Sequence, residues 1–151
     1  MDDVALRLLE SVESALPGWV LACVERRLDD AFGTVDPLAR TEAQEAGRAA
    51  AGELVPRLRA LLEADIDAQS TTPLALVRQA VAWPARILAT RGVPPVERDA
   101  FTVERFPDDV YDLTPATMAD LSEEAGEAAI AWGAAKAWEH RRRHGRPSPG
   151  G

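Results

Sequence analysis

Three aspartates in the last third of the chain are the residues best suited to chemistry. Asp108, Asp109 and Asp112 lie close together and directly follow Pro107. Carboxylate oxygens are the hard ligands that Mg²⁺ prefers, and Mg²⁺ commonly bridges protein carboxylates to a phosphate-bearing ligand. Asp108 and Asp109 also suit the first turn of a short helix, which they would cap while remaining solvated. A metal–phosphate site and a solvated cap are therefore the two alternatives.

Four arginines, at positions 78, 86, 91 and 98, precede these acids and supply the complementary charge. Arginine binds phosphate and carboxylate groups through paired hydrogen bonds, so Arg78 or Arg98 could hold an anionic ligand beside the aspartates. The alternative, which we prefer, is that these arginines form internal ion pairs with Asp99 or with the three aspartates. Such pairs would order the segment that carries the acids.

The run Asp108-Asp109-Val110-Tyr111-Asp112 resembles the DDxxD motif of prenyl-diphosphate synthases. The resemblance implies a helical protein whose paired aspartates hold Mg²⁺ against a diphosphate. That family has far longer chains and uses a second acidic motif on a facing helix. The nearest counterpart in this chain, Asp29-Asp30, lacks the closing aspartate. We therefore predict no bound metal and no cofactor, and we assign the acids and Tyr111 to a binding surface.

The basic end of the chain carries the remaining candidates. His140 and His144 have the spacing of metal ligands on one helical face, but the arginines at 141–143 between them would repel a divalent cation. These arginines could contact nucleic acid, yet no basic face with interleaved aromatic residues accompanies them, so we do not expect a nucleic-acid partner. Trp132 and Trp138 point in different directions on one helix. We assign Trp138 to a subunit or partner interface. The alternative, which is favoured for the four tryptophans as a group, is that all of them pack in the core or against loops.

Composition excludes several classes of protein. The net charge of −8 argues against a general nucleic-acid or anionic-membrane surface. Cys23 is the single cysteine, so the chain has no intramolecular disulfide and no cysteine-based zinc site, and we predict a buried core thiol. The amino terminus lacks the apolar block of a signal peptide, and no apolar run is long enough to span a bilayer. We expect a cytoplasmic protein with no membrane contact.

Helical periodicity recurs along most of the chain and must position these groups. Pro56 and Pro84 interrupt two of the patterns and predict kinks or breaks. Small residues in the first half of the third pattern would let a neighbouring backbone approach closely. The predicted helices cover Val4–Leu16, Val20–Phe32, Asp36–Leu62, Thr72–Arg91, a short stretch near Arg98–Phe106, and a last helix capped by Ser122.

The sequence therefore predicts an all-α fold. Residues 1–144 form a single domain, a bundle of about five or six helices, and residues 145–151 form a flexible tail. A long segment near residues 92–114 has neither a helical nor a strand period, and we expect it to be irregular. Irregular segments of this length inside a domain are commonly functional.

Four stretches in the second half of the chain carry a longer resemblance. They are TTPLALVRQAV (71–81), GVPPVERDAF (92–101), FPDDVYDLTP (106–115) and WGAAKAW (132–138). Together they resemble an uncharacterised family of small helical proteins from high-GC Gram-positive bacteria. The first half of the chain is not covered. The resemblance implies a cytoplasmic helical protein and implies no activity.

The functional interpretation combines missing and present features. The sequence contains no nucleophile elbow, no Gly-rich phosphate loop and no catalytic histidine or thiol arrangement. A charged, proline-punctuated segment is present instead. We therefore predict a non-catalytic cytoplasmic adaptor or regulatory subunit that binds a protein through a surface around residues 92–121. Opposite charges in this segment and at the basic end also suit a homo-oligomer. The alternative is a metal-dependent or phosphate-binding enzyme that uses the three aspartates with Arg78 or Arg98.

Overall fold

A computed structural model describes residues 1–64 and 72–144 of the chain. Within these residues the secondary structure consists of six α-helices and two 3₁₀ turns, with no strand, which confirms the all-α prediction. The predicted tail, 145–151, lies outside the described residues. The helices are α1 (Asp3–Phe32), α2 (Pro37–Glu63), α3 (Pro73–Val77), α4 (Ala82–Thr90), α5 (Ala100–Arg105) and α6 (Glu123–His144), and the 3₁₀ turns are Arg78–Val81 and Met118–Asp120.

Helix α1 continues through Pro17, so the prediction of two separate helices in this region was wrong. Proline in a helix interior removes one backbone hydrogen bond and strains the preceding turn. Leu16 and Val20, on either side of the proline, are both fully buried and continue a single apolar stripe. Packing of this stripe against the rest of the bundle outweighs the local cost, as tertiary packing commonly does for helices.

The connection between α1 and α2 is short and follows its local sequence signals. Gly33 ends α1 in the left-handed conformation, with φ of 73°, and its N–H bonds the Asp29 carbonyl. Asp36 then caps α2 by accepting a hydrogen bond of 2.7 Å from the Ala39 N–H. Further along α2, a Cβ atom at Gly47 would lie 2.6 Å from the Pro17 carbonyl oxygen. The predicted close approach of a backbone to α2 is therefore confirmed at Gly47.

The two remaining interior prolines behave differently. Pro56 lies within α2, which continues past it to Glu63. In the region predicted as one helix from Thr72 to Arg91, the chain forms α3, the turn Arg78–Val81 and α4. Pro84 cannot donate to the carbonyl of Ala80 and its ring crowds that carbonyl, so the backbone tightens into a 3₁₀ turn just before it. The predicted break in this region is confirmed.

One hydrophobic core unites the described residues. Helix α1 lies at its centre and packs against α2, α4 and α6, while α3 and α4 also pack on α2. The fully buried residues of α6 end at Ala128. No helix in the described part of the chain has both the length and the apolar character needed to cross a bilayer.

The segment of residues 92–121, which we call the strap, joins α4 to α6. It contains α5 and the turn Met118–Asp120, and the part near residues 92–114 is otherwise irregular, as predicted. Despite this irregular backbone it contributes four residues to the core: Val93, Tyr111, Leu113 and Met118.

Candidate functional site

The strap begins at a helix end whose geometry fixes its direction. Gly92 adopts a φ of 75°, a left-handed conformation that favours glycine. Its N–H bonds the Ala89 carbonyl, and the Val93 N–H bonds the Leu88 carbonyl, which is a Schellman motif. The preceding residue, Arg91, donates to two carboxylates of the α2 region, Asp36 at 2.8 Å and Glu42 at 2.9 Å. The start of the strap is thereby tied to α2.

Tyr111 joins two parts of the strap that are far apart in the sequence. Its hydroxyl donates to the Val93 carbonyl at 2.8 Å, and its side chain is buried. The carbonyl of Tyr111 accepts a hydrogen bond of 2.8 Å from Nε of Arg27 on α1. A second Arg27 nitrogen donates to the Asp112 carbonyl at 3.4 Å. Tyr111, which we predicted as a binding residue, therefore forms internal hydrogen bonds that join two parts of the strap and hold them to α1.

Helix α5 is held at both of its ends. Asp99 caps it by accepting from the Thr102 N–H at 2.8 Å, and this backbone hydrogen bond lowers the pKa of the Asp99 carboxyl. Arg98 donates to the Phe106 carbonyl at 2.7 Å and to the Pro107 carbonyl at 3.4 Å. Arg98 thus closes the loop that contains α5 by binding the backbone where the helix ends.

Asp109 organises the turn that follows α5. Its side chain is only 7% exposed, unlike that of Asp108. One carboxylate oxygen accepts from the Leu113 N–H at 2.9 Å and the other from the Thr114 N–H at 2.8 Å. The prediction that both neighbouring acids stay solvated is therefore correct for Asp108 and wrong for Asp109. Both Asp109 oxygens are used to satisfy backbone donors.

Arg78 fixes the second half of the strap from the turn between α3 and α4. It donates to the Pro115 carbonyl at 3.0 Å and to the Ala116 carbonyl at 3.2 Å. Its guanidinium lies 5.1 Å from the centre of the Phe106 ring, a cation–π distance. Partial burial and the nearby charge of Arg105 lower the pKa of Arg78.

The strap ends at a small capping structure that leads into α6. Asp120 accepts hydrogen bonds from the backbone N–H groups of Ala116, at 2.7 Å, and Thr117, at 3.1 Å. Ser122 then caps α6 by accepting from the Ala125 N–H at 3.0 Å, which confirms the predicted cap. At this junction α6 contacts the strap backbone closely, because a Cβ at Gly126 would lie 2.7 Å from the Ala119 Cβ.

The arginines therefore order the strap in a different way from the one predicted. We expected ion pairs between the arginines at 78, 86, 91 and 98 and the strap's aspartates. In the part of the chain that the structure describes, no ion pair joins these arginines to the acids at 99, 108, 109 or 112. Arg27, Arg78 and Arg98 instead each donate to two backbone carbonyls of the strap. A guanidinium has several donors in a rigid fork and can bind two successive carbonyls, which an irregular segment leaves without partners.

The three aspartates do not converge on one site. Asp108 and Asp109 line a groove of about 440 Å³ together with Arg78, Phe106 and residues of α4. Asp112 lines a different recess, of about 600 Å³, between the strap and the Trp19 face of α1. Asp112 also has a positive φ of 53°, which is uncommon outside glycine. The structure brings Arg78 together with two of the predicted acids and separates the third.

The potential metal ligands of the described residues are dispersed. Among residues 1–64 and 72–144, no group of three or more His, Cys, Asp and Glu side chains lies close enough to hold a metal ion. His140 lies on the exposed outer end of α6, and the side chain of His144 falls outside the described residues. The buried Cys23 agrees with the prediction of a core thiol, and burial raises its pKa to about 11.

An exposed apolar surface on α5 was not predicted from the sequence. None of the residues of α5 is fully buried. Phe101 is 69% exposed, and Val103 is also exposed, although both are large apolar residues. The signal that could have identified them is the short length of α5: capped at Asp99 and ending at Arg105, it cannot bury a full apolar face. The exposed acids Glu97, Asp99, Glu104 and Asp108 surround this surface in the sequence.

Trp138, the last of the predicted binding residues, lies far along α6 from the strap. Its side chain is 54% exposed, and the Arg142 guanidinium lies 5.1 Å from the centre of its ring. It belongs to a second surface, which is separate from the groove beside Arg78.

Comparison of the chain with protein-family models, with curated proteins and with solved structures finds no match. A functional interpretation therefore depends on the geometry of the strap and of α6.

Proposed function

We propose that the protein is a non-catalytic cytoplasmic adaptor or regulatory subunit that binds a protein partner through the strap. The observation that carries this interpretation is Phe101, a large aromatic residue held in the open on a capped and anchored helix. Aromatic residues presented on rigid supports commonly dominate the energy of protein interfaces, since little conformational freedom is lost when they are buried. The acids around Phe101 favour a partner with an apolar pocket bordered by lysine or arginine.

The contacts of the strap support this interpretation. Arg78, Arg98 and Asp109 all form hydrogen bonds with backbone groups of the strap. A surface that is ordered before binding pays less entropy on association than a flexible loop does. The strap therefore has the properties of a preformed recognition surface.

The test is affinity capture from a lysate of the cells that produce the protein, with quantitative mass spectrometry. Phe101→Ser removes the proposed anchor, and Leu38→Ser is the matched control because Leu38 is a comparably exposed apolar residue on α2, 71% accessible. We expect proteins retained by the wild type and by Leu38→Ser to be lost with Phe101→Ser. Their purified complexes should weaken by at least about tenfold, as for an interface hot spot. Equal capture by all three proteins would contradict the proposal.

A metal-dependent or phosphate-binding enzyme remains the second candidate, favoured by one observation. Arg78, Asp108 and Asp109 line the same groove. Calorimetric titration with Mg²⁺, with Mn²⁺ and with inorganic phosphate tests it directly. Binding heat that is lost in Asp108→Asn would support this candidate, because Asp108 is exposed and its replacement should leave the fold intact. Absence of heat in the wild type would remove it.

A further inference from the structure

The outer part of α6, residues 129–143, has no packing partner within the described chain that buries any of its residues fully. The inner part of the helix packs on α1 and on the turn Met118–Asp120. Ile130 is 76% exposed, the largest exposure among the large apolar side chains of the described residues, and Trp138, eight positions later, is 54% exposed. A regular helix with exposed apolar residues on one side is typical of an unoccupied helix–helix contact.

The exposed side of α6 has the spacing of a coiled-coil seam. Successive residues on it are separated alternately by four and three positions, as are the a and d positions of a heptad repeat. All of the residues at this spacing are exposed. The charge of this side of α6 also changes along the helix, from acidic at the start, through apolar residues at the centre, to basic at the end. The seam consists of Glu123, Glu127, Ile130, Ala134, Ala137 and Arg141.

We infer that two copies of the protein pair through this seam in antiparallel orientation. A two-fold axis at the level of Trp132 places Glu123 opposite the second copy's Arg141 and Ile130 opposite the second copy's Ala134. Each contact is then made twice, as in any interface with two-fold symmetry. A parallel arrangement would instead place acids against acids and arginines against arginines, which is unfavourable. Charge complementarity therefore selects a second copy in one orientation.

The side chains of the seam suit this contact. Ala134 and Ala137 are small, so the two helices can approach closely around Ile130. Trp138 lies beside the seam, where its ring can cover the apolar centre. Glu127 also forms an ion pair of 3.8 Å with Arg7 of α1, but both side chains are more than half exposed. Such a pair contributes little to stability and can exchange for contacts across the dimer at little cost.

The dimer should be of moderate affinity. The seam from Glu123 to Arg141 is about 27 Å long at the rise of an α-helix. A contact of one helix pair buries less surface than a standard stable interface, so we expect a dissociation constant of about micromolar order. The seam does not include the strap, so this dimer and the strap's proposed partner binding can fail independently.

The first experiment is sedimentation equilibrium over a concentration series. We expect the wild type to dimerise below about 100 µM and Ile130→Asp to weaken the dimer by at least about tenfold, because a charge replaces the apolar centre twice. Leu38→Asp is the control and should leave the dimer unchanged, and far-ultraviolet circular dichroism confirms that both variants are folded. A wild type that stays monomeric, or an equal effect of both variants, would overturn the inference.

The second experiment tests orientation by exchanging charges. Glu123→Arg and Arg141→Glu should each weaken the dimer by about fivefold, since each creates two like-charge contacts. The double variant restores both contacts and should return to within about twofold of the wild type. A double variant at least as weak as both single variants would exclude antiparallel pairing through this seam.

Cross-linking checks the register of the pairing. Glu127→Cys and Ala137→Cys lie at the same level across the proposed axis, so a mixture of the two variants should oxidise to a cross-linked heterodimer. Either variant alone should not, because its two thiols would be separated by about 15 Å along the seam. Cys23 is buried and its pKa is raised to about 11, so it does not compete. Cross-linking of each single variant to itself at the rate of the mixture would contradict the register.

Discussion

The strap and the outer part of α6 differ in both backbone and packing. The strap is mostly irregular but packs into the core, whereas the outer part of α6 is regular but has no fully buried residue. The strap has little regular structure, yet it contributes residues to the core, and three arginines hold its carbonyls. The outer part of α6 is continuously helical, yet none of its residues is fully buried. An irregular segment can therefore be more firmly integrated into a fold than a helix.

The difference follows from where each region satisfies its backbone groups. A helix satisfies its own N–H and C=O groups and needs no neighbour for them, although its stability in water still depends on packing. An irregular segment must find partners elsewhere for the same groups. In the strap these partners are Asp109 for the N–H groups of a turn, and arginines for the carbonyls. The strap is thus coupled to the bundle by necessity, whereas α6 can extend beyond it.

Among the substitutions that test this contrast, replacement of Asp109 by alanine should cause the largest loss of stability. Asp109→Ala leaves the N–H groups of Leu113 and Thr114 without their acceptor, and Leu113 is buried. We expect the free energy of unfolding to fall by about 2–4 kcal/mol, the cost of leaving two donors unsatisfied in a partly buried site. Urea denaturation followed by tryptophan fluorescence measures the change.

The neighbouring acid is the control for that experiment. Asp108 is exposed, so Asp108→Ala should change the free energy of unfolding by less than about 0.5 kcal/mol. If both variants lose stability equally, the effect comes from the net charge of the segment. If neither loses stability, the strap does not depend on the Asp109 turn.

Two glycines of α6 allow a second comparison, in which the expected changes in stability are smaller. The same substitution, glycine to alanine, should have opposite effects at the two positions. Gly126→Ala places a Cβ 2.7 Å from the Ala119 Cβ and 2.9 Å from its Cα, so the strap backbone must move. We expect a loss of about 1–2 kcal/mol, in which the overpacking exceeds the gain in helix propensity. Gly133→Ala meets no atom within 4 Å and should stabilise the protein by about 0.5–1 kcal/mol.

Thermal denaturation of the two variants, followed by circular dichroism at a concentration that favours the monomer, measures both effects. A loss of stability in Gly133→Ala would show that the exposed side of α6 at Gly133 has a packing neighbour in the monomer. A gain in Gly126→Ala would show that the junction between the strap and α6 is loose.

Local signals in the sequence were sufficient for much of the fold. The cap at Ser122, the end of a helix at Phe32 and the start of the next helix at Asp36 were predicted, because capping chemistry involves residues only a few positions apart. The continuation of α1 through Pro17 was missed, because it depends on burial of the flanking residues in the bundle. Sequence periodicity does not report that packing.

The contacts of the strap were less accessible to prediction. Charge complementarity suggested ion pairs, but Arg27, far away in the sequence, bonds the carbonyl of Tyr111. Backbone carbonyls are present at every position, so the sequence does not identify which of them an arginine will bind. The burial of Asp109 was likewise missed, although an aspartate that follows Phe106-Pro107 and precedes a turn can bind backbone N–H groups a few residues ahead. Tertiary position decided both cases.

Amide hydrogen exchange measured residue by residue, at a low and a high protein concentration, tests the contrast most directly. We predict that the N–H groups of Val96, Leu113 and Thr114 exchange slowly at both concentrations, because each is hydrogen-bonded within the strap. In the dilute protein, the amides of residues 134–142 should exchange faster than these, and they should slow as the concentration rises. Strap amides that exchange at the rate of an unfolded chain, beside a fully protected outer α6 in the dilute protein, would contradict the account.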